Sequence, residues 1–348
     1  MHSEQDLTLP STSKNYEKYS FRFHGSASEY FGVWLANIVL TVLSLTLYTP
    51  WAKARRLRYF YGNTEFIQRR FDFTGLPSKI LLGRIFALEL YLVFLVLTNY
   101  SVTISSLSFL LLYLVMPWLF RLTIKFRSRN TKFANTRFYF FGQNRYLYRE
   151  LTIALVKTLL SLFILLPKLV WLYQHYCFDH LQIGQLKFKF TAPASAYMKA
   201  FYVPIFISWS VLFIGIWMMS WEIFDGQLKY LLLIPALSIT AVWLLVLPII
   251  LARFYILTWN HLHLGDGYFK TRANPWRYAW IVLSNWLVKL FSLGLLSAWA
   301  EVRLYHYKLS QLDFYSRDDP RNLSNILQPD QHSIGQELSQ LFDFDASL

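Results

Sequence analysis

The feature that most constrains this chain is that it repeats itself. Residues 21–75 run Phe21-Arg22-Phe23-His24-Gly25, an apolar stretch to Tyr48, Pro50-Trp51-Ala52-Lys53-Ala54-Arg55-Arg56, and then Phe71-Asp72-Phe73-Thr74-Gly75. A shift of 117 residues, without a gap, carries Gly25 onto Gly142, Pro50 onto Pro167, Phe71 onto Phe188, Phe73 onto Phe190 and Thr74 onto Thr191. A shift of 248 carries Asn37 onto Asn285, Trp51 onto Trp299, Ala52 onto Ala300 and Arg55 onto Arg303. A unit that recurs with an apolar segment in each copy reads as a repeat-built membrane protein, because each copy needs its neighbours or lipid to cover its apolar face.

Composition agrees with lipid as the solvent. The 348 residues are 55% hydrophobic and only 16% charged, against the roughly 25% charged usual in soluble domains. Seven apolar stretches stand out, at about 30–48, 80–98, 107–124, 147–172, 201–221, 230–252 and 278–298. Each approaches or exceeds the ~20 helical residues that span a bilayer. The fold expected is therefore an α-helical multi-pass membrane protein built from internal repeats, with short β-strands in the interfacial or cytoplasmic segments. Its units would be a polar leader, 1–20, a repeat-built transmembrane region, 21–312, and an acidic tail, 313–348. Within the middle region the repeats are read as 21–137, 138–267 and a partial copy, 268–312.

The strands are inferred from strict alternation in Phe21-Arg22-Phe23, Phe71-Asp72-Phe73, Phe138-Tyr139-Phe140 and Phe188-Lys189-Phe190. Period two is the mark of a half-buried strand. Two topologies compete for the helices. Full crossing by all seven stretches would place the basic segments 168–199 and 253–277 outside. If stretches one, four and seven do not fully cross, every basic loop is cytoplasmic, only Lys229 is left outside, and the strands can form one sheet. Charge bias favours the second topology, yet 30–48 is apolar all round and long enough to span.

The net charge of +14 could suggest nucleic acid, but the basic residues cluster beside apolar segments, as headgroup contacts and orientation signals do. No nucleic-acid partner is expected. The first twenty residues contain no apolar core, so no cleavable signal is expected. One cysteine, Cys177, leaves no intramolecular disulfide. His261-Leu262-His263 would put two imidazoles on one strand face, but no third ligand completes a metal set at a recognisable spacing. With no Walker loop, nucleophile elbow or zinc-protease motif, neither an enzyme nor a cofactor is expected.

Candidate functional residues follow from the cost of burying ions in lipid. Glu89, Lys157 and Lys289 fall inside apolar stretches, and an intramembrane ionisable group marks a pathway or site by default. Asn37 and Asn285 are polar handles in the same segments, more often for helix packing than for ligands. The run Trp51, Lys53, Arg55, Arg56 and Arg58, opened by Pro50 at a helix start, is suited to anionic lipid headgroups, as are Trp299 and Arg303.

With Phe23-His24-Gly25, Leu45-Thr46-Leu47-Tyr48-Thr49-Pro50-Trp51-Ala52-Lys53-Ala54-Arg55, Phe71-Asp72-Phe73-Thr74-Gly75 and Gly83-Arg84 in hand, the chain resembles the YjgN-like family of bacterial inner-membrane proteins. The resemblance covers most of 20–312 and is most specific in the first repeat. Lys168 replaces the tryptophan in the middle copy, and Ala273 replaces the glycine in the last. The resemblance implies a multi-pass inner-membrane location and no particular chemistry. Two functions are weighed. One is a transporter- or channel-like protein using Glu89, Lys157 and Lys289. The other is a non-catalytic scaffold or regulator that binds anionic lipids, or protein partners through its strands or acidic tail. A polar cavity reached by the three ions would favour the first.

Overall fold

The computed structural model describes residues 16–220 and 228–317. Alternation of apolar and polar residues does produce strands, eleven among the described residues, all antiparallel and all in one sheet. Four two-stranded hairpins carry most of it: β3 (Thr64–Phe66) with β4 (Arg69–Phe73), β5 (Thr131–Phe133) with β6 (Thr136–Phe140), β7 (Leu181–Ile183) with β8 (Leu186–Phe190), and β9 (Leu262–Leu264) with β10 (Gly267–Thr271). Their turns need left-handed backbone, supplied by Gly184 and Gly265 and, unusually, by Ile67, Gln68 and Ala134.

The sheet then closes on itself. β1 (Glu17–Ser20) pairs with β11 (Leu312–Ser316), while β2 (Arg22–Phe23) pairs with β3. Because only Phe21 separates β1 from β2, the two ends of the sheet are halves of one segment, and the result is a nearly closed barrel. Closure leaves few unpaired edges, the property that makes barrels self-contained. Thus Glu17–Ser20 and Asp313–Ser316, which the sequence pattern groups with leader and tail, are the seam strands of the sheet.

Period two sends one set of side chains into the barrel. Phe21, Phe66, Phe133, Ile183, Phe188, Phe269 and Phe314 are buried together, with Phe71 and Phe138 packed against them. Phe21 stacks on Phe66 at 4.3 Å, Phe71 meets Phe133 at 4.7 Å, and Phe269 meets Phe314 at 4.9 Å between ring centroids. Burying one such side chain is worth about 1.5–3 kcal/mol, so the aromatic interior is the main stabilising term of the sheet.

Between successive hairpins the chain makes a pair of antiparallel helices. The junctions obey one rule: a backbone N–H just past the strand that precedes each helix pair donates to a carbonyl just before the strand that follows it. The pairs are His24 to Asn63, Thr74 to Asn130, Phe141 to His180, Thr191 to His261 and Arg272 to Gln311. Aromatic-x-Gly at a junction has a steric cause. A Cβ on Gly75 would lie 2.5 Å from the Phe73 ring, and one on Gly142 would lie 2.4 Å from that of Phe140.

The helical hairpins differ in length. α3 (Pro77–Thr98) with α4 (Val102–Arg129), and α8 (Ala194–Ser220) with α9 (Leu228–Asn260), are long. The other three are broken early. α1 (Ala27–Leu43) turns into α2 (Thr49–Gly62), and α10 (Pro275–Phe291) turns into α11 (Ser297–Ser310). The middle one runs through α5 (Asn144–Tyr146), a π-turn at Leu147–Leu151, α6 (Thr152–Leu160) and α7 (Leu166–Asp179). Each break uses positive φ, at Leu45 and Thr46, at Leu162 and Phe163, and at Leu293 and Gly294. A serine then caps the return, accepting from Tyr48 N at 2.9 Å (Ser44), Leu165 N at 3.1 Å (Ser161) and Leu296 N at 3.1 Å (Ser292).

This corrects the expected fold class. The chain is not a multi-pass helical protein with incidental strands. It is a nearly closed antiparallel barrel carrying helical hairpins. Among the described residues two helices, Pro77–Thr98 and Val102–Arg129, are long and apolar enough to cross a membrane. The stretches 30–48, 147–172 and 278–298 pass as spans by composition, but their backbones reverse before a full crossing. Hydropathy counts apolar residues and is blind to a chain reversal.

Candidate functional site: the barrel mouth and the helix corners

Register fixes where things lie. Phe73 pairs with Thr131 and Phe140 with Leu181 at the helix-bearing rim, while every two-residue turn lies at the opposite rim. Strand β11 ends at Ser316, paired with Glu17, so both ends of the sheet-forming chain also leave at the turn rim. Inside, the aromatic rings leave an apolar cavity of about 80 Å³ that reaches the turns at Ile67 and Ala134. Arg69, at the start of β4, is the one charged residue lining it among the described residues. Alternation points Arg22, Arg70, Lys132, Lys187, Lys189 and Lys270 to the outer face, beside Glu65, Asp72 and Asp313.

The seam is held by a buried carboxylate. Ser20 Oγ donates to Asp313 Oδ1 at 2.6 Å, and Arg272 Nε and Lys18 Nζ lie 2.9 and 3.3 Å from Oδ2. Neither cation meets hydrogen-bond geometry at Oδ2, so the pairing there is chiefly Coulombic. A second network joins the first and last helical hairpins: Tyr30 Oη donates to Glu301 at 3.0 Å, and Arg56 Nε lies 3.2 Å from the same oxygen. Neither network is visible in the sequence. There Asp313 belongs with the acidic tail, and Ser20 and Tyr30 lie 293 and 271 residues away from Asp313 and Glu301.

The residues singled out from sequence fall into separate places. Glu89 is exposed on α3, Lys157 is exposed on α6 and Lys289 is half-buried on α10. No ion pair joins Glu89 to either lysine among the described residues, and none of the three lines the barrel cavity or the cleft between α3 and α4. The second, a narrow cleft between α3 and α4, is walled by Leu90, Val93, Phe94 and Leu111. Asn37 and Asn285 are both buried and play the same part. Their Nδ2 groups donate to the carbonyls of Ala52 (3.4 Å) and Ala300 (2.9 Å), pinning each broken hairpin.

The basic corner residues remain at the surface. Lys53, Arg55, Arg56 and Arg58 are exposed and Trp51 is half-buried. Partial desolvation, then the like charges of Arg84, Arg127 and Arg56, push the Lys53 ammonium below its ordinary value. Arg55 lies over the Tyr48 ring, Arg303 over that of Trp299, and Arg58 reaches the carbonyls of Phe73 and Gly75. The two imidazoles of His261 and His263 do not converge. His261 Nδ1 lies 2.9 Å from the Leu257 carbonyl in the last turn of α9, whereas His263 sits opposite Lys189 on the outer face. Burial and then Lys189 hold His263 below the ordinary imidazole value.

Comparison with known proteins gives a family. A model described as "Bacterial protein of unknown function (DUF898)" matches residues 18–341. Curated relatives carry the name inner membrane protein YjgN. The one from Escherichia coli K12 is 30% identical over 98 residues, 28% of this chain and 25% of that protein. The one from Escherichia coli O157:H7 is 40% identical over 55 residues, 16% and 14% of the two chains. The Salmonella typhimurium protein is 27% identical over 90 residues, 26% and 23%. The chain therefore aligns with about a quarter or less of the length of these relatives. Their name supports a place in the bacterial inner membrane. No solved structure matches the chain significantly.

Proposed function

Because the chain belongs to the DUF898 family, some of whose curated relatives are named for the inner membrane, we propose that it is a non-conducting inner-membrane protein that presents its barrel on the cytoplasmic side as a binding module. The observation that carries this reading is the separation of Glu89, Lys157 and Lys289, with an aromatic-filled barrel beneath the helices in place of a polar passage. An ion path needs its charged groups gathered around water, since a central ion in lipid costs about 2.5–3.5 kcal/mol.

The membrane placement follows from exposed apolar surface. α3 has no buried residue, as suits a helix facing lipid. The tips of the broken hairpins are also bare: Leu45 is 85% exposed, Leu162 83% and Leu293 94%. These tips enter the bilayer from the barrel side while the α3–α4 hairpin crosses. Trp51, Lys53, Arg55 and Arg56 of the first corner then meet anionic headgroups, each cation contributing about 1 kcal/mol. The uncharged α3–α4 turn at Asn99–Ser101 lies on the far side.

The test is electrical and topological. Purified protein in planar bilayers gives no conductance above background. A reproducible conductance abolished by Glu89→Gln would restore the channel reading. In a Cys177→Ala background, an impermeant maleimide labels Asn99→Cys in intact spheroplasts and Gln68→Cys only after permeabilisation. Labelling of Gln68→Cys from outside would invert the placement.

A further inference from the structure

Three helices meet where the first broken hairpin adjoins the α3–α4 hairpin, and each brings a cation. Arg84 of α3 donates to Thr49 Oγ1 on the opening turn of α2, and Lys53 stands one turn further along the same face of α2. Arg127, near the end of α4, donates to Tyr61 Oη on α2 at 3.1 Å. Both arginines lie close enough for their charges to bear on Lys53, as does Arg56. We propose that Lys53, Arg84 and Arg127 form a binding site for one phosphate group. This rests on the reading of the first corner as the part that meets headgroups, and narrows it to a single site.

The repeat shows that the fold does not need these charges. A shift of 117 residues carries Lys53 onto Val170 and Arg84 onto Phe201. Arg127 lies three residues before Asn130, whose carbonyl accepts from Thr74; Thr258 lies three before His261, whose carbonyl accepts from Thr191. The matching wedge of α7, α8 and α9 therefore holds Val170, Phe201 and Thr258. There Val170 packs against the barrel core, Phe201 stacks on Phe254, and buried Thr258 shares a 2.7 Å hydrogen bond with Tyr197. Where one wedge is filled by its own side chains, the other presents three exposed cations.

Charge names the ligand. Among the described residues no carboxylate pairs with any of the three, and Glu301 is engaged by Arg56 and Tyr30. Like charges gathered without a counter-ion cost stability, and the depressed Lys53 ammonium registers that cost. A phosphate relieves it, because guanidinium groups grip its oxygens in pairs and an ammonium adds a compact charge. The surroundings favour a lipid as the carrier. Arg84 sits about two turns into α3, beside exposed Leu82, Ile85 and Phe86, so acyl chains hanging from the phosphate would lie on that apolar face.

The experiment titrates the full chain, purified in neutral detergent, with phosphatidylglycerol and counts bound lipid by native mass spectrometry. Binding saturates at one tightly held lipid per chain. The variant Lys53→Val, Arg84→Phe, Arg127→Thr carries the residues with which the second wedge already folds, and it weakens that binding by roughly tenfold or more, as the loss of three headgroup cations should. A milder pair, Lys53→Met with Arg84→Gln, weakens it severalfold and serves if the triple variant does not fold. Removing three cations from the outer barrel wall, by Lys187→Gln, Lys189→Gln and Lys270→Gln, changes it less than about twofold, because charges beyond a Debye length are screened. Inorganic phosphate without lipid identifies the carrier: saturation at comparable affinity supports the site and assigns it to soluble phosphates, and weaker binding assigns it to lipid. Equal losses in the two triple variants, or no saturable binding of either probe, overturns the proposal. Bilayer recording and labelling of Gln68→Cys read the membrane placement separately, so the site can fail while that reading stands.

Discussion

The first and last helical corners, α1–α2 and α10–α11, begin from matching residues and end in different roles. In both, a buried asparagine pins the return helix by donating to an alanine carbonyl fifteen residues on. In the last corner the bond is 2.9 Å, and Arg303 donates to the same asparagine's Oδ1 at 3.2 Å and to Ser284 Oγ at 2.8 Å. In the first corner the bond is 3.4 Å, the Oδ1 of Asn37 has no partner among the described residues, and Arg55 turns away to Tyr48. One position differs in sign. Lys53 stands exposed among cations, whereas its counterpart Glu301 accepts from Tyr30 and pairs with Arg56. α10 buries Tyr278, Ala279, Ile281, Val282 and Asn285, while α1 buries only Tyr30 and Asn37. The same motif serves packing where neighbours surround it and leaves cations for headgroups where they do not.

The sharpest way to break this contrast is Asn285→Ala. It deletes a satisfied buried pair and strands the Arg303 donor, so a loss of about 2–3 kcal/mol is expected in thermal unfolding in detergent. A loss no larger than that of Asn37→Ala would mean the two corners are equivalent. Glu301→Gln comes next. It weakens a partly exposed pair with Arg56, so about 1 kcal/mol is expected after solvent screening, together with loosening of α1 against α11 measurable by hydrogen exchange. Asn37→Ala is expected to cost under ~1 kcal/mol, since half of its hydrogen-bonding capacity is already unmet.

The middle broken hairpin gives the smallest and most specific effect. His175 occupies the place of Arg58 and pairs with Asp179 at 2.6 Å, and that hydrogen bond, opposed by burial, raises its pKa. A raised folded pKa stabilises the fold below the unfolded value near 6.5, and the contribution is lost as pH rises through the folded value. His263 is shifted down, so its contribution is present above 6.5 and is lost as pH falls through its folded value. Melting profiles against pH should thus flatten on the alkaline side with His175→Gln and on the acid side with His263→Gln. Identical profiles for the two variants would contradict the opposed signs.

Much of the local structure was legible. Alternating Phe-x-Phe marked the strands and Pro50 marked a helix start. The matched asparagines each bond an alanine carbonyl of their return helix. One expectation failed for a physical reason. Counting apolar residues could not detect the reversals at Leu45, Leu162 and Leu293, because a reversal needs only a local φ change and a serine cap. Glu89, Lys157 and Lys289 lie on three separate elements, α3, α6 and α10.

What the sequence by itself determined is therefore the inventory: period-two strands, apolar hairpins and basic corners, each encoded within a dozen residues. Only the tertiary structure decided that Glu17–Phe23 closes the sheet, that Asp313 bridges Ser20 across 293 residues, and that Glu301 serves Tyr30. Those contacts join the two ends of the chain. They follow from the curvature of five hairpins packed in a circle, which no local pattern of residues contains.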